Sequence, residues 1–387
     1  MKHFHITVFE FYQLFKPNKM KTTLSILLLA TACILGHTTA NASQPITKSD
    51  IAAMGQIAEQ YLKEKAADKE KLIQETELLR SKEDVDYETI SKMIEEKVSS
   101  FKKKWNTELI RRFEAKKMDE PLRLTRLLTE YAESREAAFS KWRSDVLALD
   151  STAYGPAFRG YLEDFPLERE WEGKFITLVN ENPTIIYYPE DLIEDICNIS
   201  ASTSDDYNLR YYSWWTGRGG TMTCICEFCQ FRTFDGQIVV PMAEEVNSWE
   251  HAEPEMVVGE ETSDCSLLGE MPWEWKQFIE KIHTIDTGIW KIYLVVSRFN
   301  ASSLFRYTTI TAQCIADDNI LDFPIFYDNG KTFESITTLY DTDDSFEYDE
   351  KNKTLTVNVY DEENVYDGYQ LQGIDTYTMN GFVLKKK

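Results

Sequence analysis

The chain of 387 residues has few of the side chains on which metal and nucleophilic chemistry depend. Histidine occurs five times, and beyond residue 42 only His251 and His283 remain. The sequence contains no Gly-x-Ser-x-Gly elbow, no His-Glu-x-x-His pair and no phosphate-binding loop. We interpret both histidines as structural or solvated, and we expect no metal, no cofactor and no serine or cysteine nucleophile.

Cysteine is also scarce, and its spacing does not suit a metal site. Besides Cys33, the cysteines are Cys197, Cys224, Cys226, Cys229, Cys265 and Cys314. The run from Cys224 to Cys229 has no second Cys-x-x-Cys to complete a ligand set, and along a strand Cys226 and Cys229 point to opposite faces. We therefore favour buried thiols, with one disulfide or a metal knuckle as the alternatives.

Long hydrophobic runs are absent except near the N-terminus. Lys19 and Lys21 precede an apolar stretch at residues 24–35, and Ala40-Asn-Ala42 resembles the small-residue site that signal peptidase cleaves. These features predict a signal peptide over residues 1–42 and export to the periplasm or the exterior. Because no later run is as apolar, we expect no membrane span.

Two details of this leader have alternatives. We expect Met20 to be the start of translation, because residues 1–19 do not resemble a signal sequence. Ala30-Thr-Ala-Cys33 resembles a bacterial lipobox, which would place a lipid anchor on Cys33. Against that alternative, the position three before the cysteine is alanine rather than leucine, and Ile34-Leu35 continues the apolar run.

Between Thr47 and Ala148 the sequence has no glycine after Gly55 and a single proline, Pro121. Lys, Glu, Leu and Ala, which favour helices, dominate this region. Apolar residues recur there at three- and four-residue spacing, most clearly as Tyr87, Ile90, Ile94, Val98, Phe101, Trp105, Leu109 and Phe113, then as Leu124, Leu128, Tyr131, Ala138, Trp142 and Val146. The stripes predict an antiparallel helical bundle or coiled coil over residues 45–150, and they allow self-association.

Charge is distributed unequally between the two halves of the chain. Residues 45–150 hold 21 basic and 22 acidic side chains, whereas residues 151–387 hold 17 and 42, a net charge of −25. A surface of this sign repels nucleic acid and anionic lipid, and it attracts cations or basic partners. We therefore expect no nucleic-acid partner, and we expect the second half to fold as a separate acidic unit.

Strand signals dominate the second half, after a connector at residues 151–194. Short runs of β-branched and aromatic residues alternate with turn pairs such as Asp235-Gly236 and Asn380-Gly381. The runs form three sets of four, at 196–201, 209–215, 222–233 and 237–241, then at 278–285, 290–297, 307–316 and 319–326, then at 345–349, 354–360, 368–374 and 381–385.

These sets predict an antiparallel all-β domain over residues 195–387, with an acidic loop inserted at 247–273. Repeated four-strand meanders indicate a propeller-like arrangement, with further strands from residues 171–190, or else a sandwich or open barrel. Together with the helical half, they place the chain in the α+β class.

One stretch, from Leu209 to Met222, combines paired tryptophans with three glycines. Glycines let a loop approach a ligand closely, and adjacent tryptophans on a strand face opposite ways. Arg218, in the glycine-rich part of the stretch, either pairs with local acids or meets an anionic group of a ligand. The candidate ligand-binding residues are Trp214, Trp215, Gly217, Arg218, Gly219 and Gly220. The alternative is a tight loop that packs its tryptophans into the core.

The pattern of this stretch, Leu-Arg-x-Tyr-Ser-Trp-x-Thr-Gly-x-Gly-Gly-Thr-Met, resembles one found in uncharacterised exported proteins of Gram-negative bacteria. The resemblance extends from Asp195 to Leu384 and does not include the helices. In that pattern the position of Trp215 is more often acidic, so this chain lacks an acid there. The resemblance implies an exported β domain and no particular activity.

From these features we expect an exported, non-catalytic protein whose β domain contacts a protein or glycan of the cell envelope. The alternative is a carbohydrate-active enzyme that uses two carboxylates, one of them with a raised pKa. The acids nearest to aromatic residues are Asp205, Asp206, Glu227 and Asp286. A cleft with two facing buried acids would favour the enzyme.

The leader makes a first prediction. Protein purified from its native host should have the intact mass of a chain that begins near Ser43, because Ala40-Asn-Ala42 ends the apolar run. Mass spectrometry of the intact protein checks this. A diacylglyceryl adduct on Cys33 or an uncleaved N-terminus would contradict it.

Overall fold

A computed structural model describes residues 46–81, 86–148, 156–215, 225–241, 278–300, 306–316, 318–339, 346–360 and 370–387. The signal peptide, the lipobox and the acidic loop at 247–273 lie outside these residues. The described chain contains helices in its N-terminal part and antiparallel-rich sheets after them, which confirms the α+β class.

The N-terminal part folds into helices that begin at residues suited to capping. Thr47 accepts a hydrogen bond from the backbone of Asp50, whose carboxylate accepts one in return, and Asp86 caps the next helix. The α-helices are α1 (Lys48–Arg80), α2 (Tyr87–Ala115), α3 (Asp119–Ala148), α4 (Pro156–Glu181) and α5 (Glu190–Cys197), with a 3₁₀ helix at Pro183–Tyr187. The first three match the segments that the apolar stripes predicted.

The connector predicted at residues 151–194 is mostly helical, and the strands considered for residues 171–190 are wrong. Trp171, Phe175 and Val179 recur every fourth residue and are buried, so α4 presents an apolar stripe to the other helices. The strand expected at 196–201 begins only at Ser200, because the preceding residues belong to a helix. Helix α5 runs to Cys197, and Asn198 ends it in the left-handed conformation at φ 56°.

The rest of the described chain forms strands, and the predicted hairpins are largely present. The strands are β1 (Ser200–Thr203), β2 (Leu209–Trp215), β3 (Ile225–Arg232), β4 (Ile238–Val239), β5 (Phe278–Asp286), β6 (Lys291–Asn300), β7 (Arg306–Ala316), β8 (Asn319–Asp322), β9 (Phe326–Asp328), β10 (Lys331–Phe333), β11 (Ser335–Leu339), β12 (Phe346–Asp349), β13 (Thr354–Tyr360), β14 (Leu371–Asn380) and β15 (Val383–Lys386).

These strands form three sheets that correspond to the three predicted sets, with β9, β10 and β11 added. Sheet A has the order β1-β2-β3-β4, and sheet B has the order β11-β7-β6-β5 with β8 beside β7. Sheet C has the order β10-β9-β15-β14-β13-β12. Neighbouring strands are antiparallel except β9 and β15, which are parallel.

The elements stack as layers because alternate residues of each strand face opposite sides. On β2, Tyr212 and Trp214 pack into one cluster with the helices, whereas Leu209 packs against sheet B. Sheet B in turn contacts sheet A through residues such as Tyr293 and sheet C through residues such as Leu294. The described layers therefore follow the order helices, sheet A, sheet B, sheet C.

A buried arginine joins the helical layer to sheet A. Arg210 on β2 is 1% exposed, and its guanidinium donates hydrogen bonds of 2.6 Å to the carbonyl oxygens of Ile185 and Tyr188 and to Oγ1 of Thr203. Ile185 belongs to the 3₁₀ helix that follows α4, and Tyr188 is the residue that caps this helix at its C-terminus. A planar guanidinium reaches all three acceptors at once, which an ammonium group does not do.

Replacement of this arginine makes a second prediction. Arg210→Lys should lower the free energy of unfolding by about 3 kcal/mol or more, because buried carbonyl groups lose their donors. Chemical denaturation measures the change. Arg126→Lys is the matched control: Arg126 lies on the surface of α3 and pairs with Glu114 at 2.8 Å. Arg126→Lys should lower the free energy of unfolding by less than about 0.5 kcal/mol. Equal effects of the two substitutions would contradict the role given to Arg210.

Candidate functional site

The stack of sheets has one end at which strands are joined by short turns, and we call it the turn end. It contains the turns at residues 204–208, 233–237, 287–290, 350–353 and 381–382. Two contacts hold the layers together there. Lys291 Nζ lies 2.7 Å from a carboxylate oxygen of Asp206, which joins sheets B and A, and Lys353 Nζ donates to the carbonyl oxygen of Asp286 at 2.7 Å, which joins sheets C and B.

At the opposite end, which we call the loop end, the connections are longer. Described strands reach it at Trp215, Asn300, Leu339 and Tyr360, and chain re-enters it at Ile225, Phe278, Arg306, Phe346 and Leu371. The connecting segments 216–224, 242–277, 301–305, 340–345 and 361–369 lie outside the described residues. Longer connections carried at one end of a rigid sheet scaffold are where binding residues concentrate.

Of the candidate ligand-binding residues, the structure describes Trp214 and Trp215, at the end of β2 that reaches the loop end. Trp214 is 4% exposed, and its ring packs edge-on to Phe175 at 6.1 Å and to Phe228 at 6.3 Å. Trp214 is therefore a core residue; the packing alternative expects both tryptophans in the core, and the ligand-site interpretation expects one of them there. Trp215 is the last residue of β2 and pairs with Ile225 in the ladder.

The remaining members of the candidate set lie outside the described residues. They are Gly217, Arg218, Gly219 and Gly220. The end of β2 and the start of β3 fix where this hairpin connection leaves sheet A.

The interface between sheets A and B changes from apolar to polar towards the loop end. Near the turn end it contains Leu209 and Tyr293, and the positions closer to the loop end are Ser213, Ser297 and Thr309, all buried. Ser297 donates to the carbonyl oxygen of Thr309 at 3.3 Å. Ser213 is 1% exposed, and its hydroxyl has no partner among the described residues.

Sequence reasoning missed these hydroxyl groups, although alternation along β2 could have found the first. Leu209, Tyr211 and Ser213 occupy one face of the strand, so a serine follows two large residues on the inward side. Its cross-strand partner on β3 is Glu227. An unpaired buried hydroxyl is uncommon in proteins, and Ser213 shares this property with Thr129, Thr284, Thr308 and Thr378. The polar end of this interface is therefore one candidate for an interior contact with a ligand.

The four acids considered for glycoside hydrolysis are divided unequally between the two ends of the stack. Asp205, Asp206 and Asp286 lie at the turn end, whereas Glu227 lies towards the loop end. Burial of Asp206 opposes its ionisation, but hydrogen bonds from Lys291, Ser204 and Asn208 outweigh it, so the pKa of this carboxyl lies below its usual value. A general acid requires the opposite shift.

The described cysteines are buried thiols. Cys197, Cys229 and Cys314 are free and buried, which confirms the favoured interpretation for these three. Burial raises the pKa of Cys229 to about 12 and that of Cys314 to about 11, so neither forms a reactive thiolate near neutral pH. Within the described residues, no group of three or more His, Cys, Asp or Glu side chains could hold a metal ion.

The histidine described by the structure is a packing residue. His283 on β5 is buried, its ring lies 5.3 Å from that of Tyr348 on β12, and its Nδ1 atom has no partner among the described residues. Burial, with a smaller effect from Lys281, lowers the pKa of His283 to about 4. Its imidazole is therefore neutral near pH 7, and we assign it a place between sheets B and C.

No protein-family model, curated protein or solved structure matches this chain. Among the described helices, none has a stretch apolar and long enough to cross a bilayer.

The buried histidine makes a third prediction. The unfolded chain binds a proton at His283 near pH 6.5 while the folded chain does so only near pH 4, so acid favours unfolding across this range. His283→Leu should remove at most about 3 kcal/mol of the acid-dependent loss of stability between pH 6.5 and 4. Urea denaturation as a function of pH checks this. Above pH 7 both proteins should show the same pH dependence, and identical acid profiles would contradict the prediction.

Proposed function

We propose that this protein is an exported, non-catalytic binding protein whose sheets present the loop end to a protein or glycan of the cell envelope. The observation that carries the proposal is the asymmetry of the stack. Short turns join the strands at one end, and the strands that flank the mostly longer connections, including the one with Gly217 to Gly220, end at the other. A scaffold with variable connections at one end is a common design for recognition.

The polar interface between sheets A and B supports the same end. Ser213 is buried without a partner, and a buried hydroxyl of this kind is stabilised when a ligand or water supplies a hydrogen bond. Thr284 and Thr378, which lie near the turn end, also have buried hydroxyl groups without a partner among the described residues. The acids of the turn end cap their own turns, as Asp286 does by accepting from the backbone of Gly288 at 2.7 Å.

The helices support a role as an arm. From Leu62 to Leu78, α1 buries no side chain, and ion pairs join it to α2, between Glu75 and Lys97 and between Asp68 and Lys104. This part of the helical layer is therefore largely solvated. Exposed apolar residues near its far end, including Leu78, support self-association of two chains through the arm.

The carbohydrate-active enzyme remains the alternative, and it has less support. Of the described carboxylates considered for it, Glu227 lies towards the loop end and the other three lie at the turn end, where Asp206 has a lowered pKa. The net charge of −25 over residues 151–387 also disfavours acidic glycans and nucleic acid as ligands, because like charges repel. Neutral or basic envelope components are the better match. Export rests on the predicted leader.

The loop end makes a fourth prediction, tested with purified envelope glycans and envelope protein extracts. The double variant Trp215→Ala/Arg218→Ala should keep the unfolding temperature of the parent and lose binding to the component that the parent retains. Trp214→Ala is the matched control. Because Trp214 is buried against Phe175, its truncation should lower the free energy of unfolding by about 3–5 kcal/mol.

Thermal unfolding and pull-down experiments separate the outcomes. A double variant that binds as the parent does would overturn the assignment of this connection as the contact surface. A double variant that unfolds at a much lower temperature would show that the pair belongs to the scaffold.

A further inference from the structure

An arginine at the edge of the contact between sheet A and the 3₁₀ helix has no acidic partner. Arg232, the last residue of β3, lies on the face of sheet A that the helices cover, in line with Phe228 and Gln230. The central carbon of its guanidinium lies 5.5 Å from the centroid of the Tyr187 ring. Among the described residues the guanidinium forms no ion pair and no hydrogen bond, and its buried Nε atom is without a partner.

The lack of an acidic partner is unusual because this half of the chain is rich in acids. Residues 151–387 contain 42 acidic side chains and only 17 basic ones. The carboxylates of the two adjoining turns are engaged elsewhere. Asp235 accepts hydrogen bonds from the backbone and the side chain of Gln237, and Asp206 pairs with Lys291 at 2.7 Å. The N–H donors of this guanidinium are therefore left available by the described chain.

Two tyrosine rings lie beside this arginine. The ring of Tyr187 on the 3₁₀ helix lies 6.0 Å from that of Tyr207 in the turn between β1 and β2, with an angle of 46° between the ring planes. Arg232 and both tyrosines are half-buried, so each side chain keeps a part that a ligand can reach. A ring contact uses the positive charge of a guanidinium but not its N–H donors.

The backbone that carries these side chains is fixed by hydrogen bonds. Arg232 donates its backbone N–H to the carbonyl oxygen of Asn208 at 2.8 Å and pairs with Ile238 on β4. Tyr187 lies between two residues whose carbonyl groups accept from the buried Arg210. The guanidinium and the rings are thus held close together before any ligand binds, which lowers the entropic cost of binding.

We propose that Arg232, Tyr187 and Tyr207 bind a small ligand that carries one carboxylate on a ring. The guanidinium donates to both carboxylate oxygens, and the ring of the ligand lies against the tyrosines. A single carboxylate suits the site better than a phosphate or a polyanion, because the net charge of −25 over residues 151–387 repels each further negative charge. The site lies at the turn end of β3 and goes beyond the binding function proposed for the loop end.

Benzoate tests the proposal with the full chain, because it combines one carboxylate with one ring. Benzamide is the matched control ligand, since it has nearly the same shape and no charge. Titrations followed by ligand-detected NMR measure the affinity of each, because the method suits weak binding. Benzoate should bind about tenfold more tightly than benzamide or better, because hydrogen bonds between two charged groups are stronger than those to a neutral amide.

Three variants of the protein complete the experiment. Arg232→Gln should weaken benzoate binding about tenfold or more and change benzamide binding little. Arg232→Lys keeps the charge but lacks the planar pair of donors, so it should also weaken benzoate binding. Arg126→Gln is the matched control, because it removes the same charge from α3, where Arg126 pairs with Glu114. It should bind benzoate as the parent does. Thermal unfolding of each variant confirms that it is folded.

The proposal is overturned if benzoate does not bind, if benzamide binds equally well, or if Arg232→Gln and Arg126→Gln behave alike. Should Arg232→Gln fail to fold, the comparison of the two ligands on the parent decides. Inorganic phosphate that binds more tightly than benzoate would overturn the choice of a carboxylate. The variant Trp215→Ala/Arg218→Ala should bind benzoate as the parent does. If benzoate fails while that variant loses its envelope ligand, only the carboxylate site is wrong and the function of the loop end stands.

Discussion

The burial of one guanidinium is the constraint on which the union of helices and sheets depends. Arg210 lies on the face of sheet A that also carries Tyr212 and Trp214. Its guanidinium donates to two carbonyl groups and to the hydroxyl of Thr203, and the carboxylate of Glu190 interacts with its charge. A charge in such a place is tolerated only when its donors are satisfied. Gln230 extends the arrangement, because it accepts from Tyr212 and donates to the carbonyl oxygen of Pro183. The 3₁₀ segment at 183–187 therefore has to lie across sheet A, and the helices on either side of it follow.

Beyond that segment, the stacked sheets differ in their contacts and connections between the turn end and the loop end. At the turn end, Asp206 and Asp286 satisfy lysines and backbone groups of adjoining layers, so the chain is tied to itself. Towards the loop end, the buried hydroxyl of Ser213 has no partner among the described residues. The two ends also differ in their connections, which are short turns at one end and mostly longer segments at the other.

The chemistry of the described side chains favours binding over catalysis for a common reason, which is the effect of burial on titration. Burial without a charge partner keeps Cys229 protonated and His283 neutral, so neither is an active nucleophile or base. At Asp206, which is partly buried, hydrogen bonds hold the carboxyl ionised, whereas burial raises the pKa of Glu190.

Local periodicity determined much of the fold from the sequence alone. The stripe through Trp105 and Phe113 predicted α2, the alternation from Leu209 to Trp215 predicted β2, and Asn380-Gly381 marked the turn before β15, because each signal involves residues only two to four positions apart. Packing between distant segments decided the rest. Residues 171–190 are helical because Trp171 and Phe175 meet Tyr131 on another helix. Trp214 and Arg210 are buried because sheet A packs against the helices on that face.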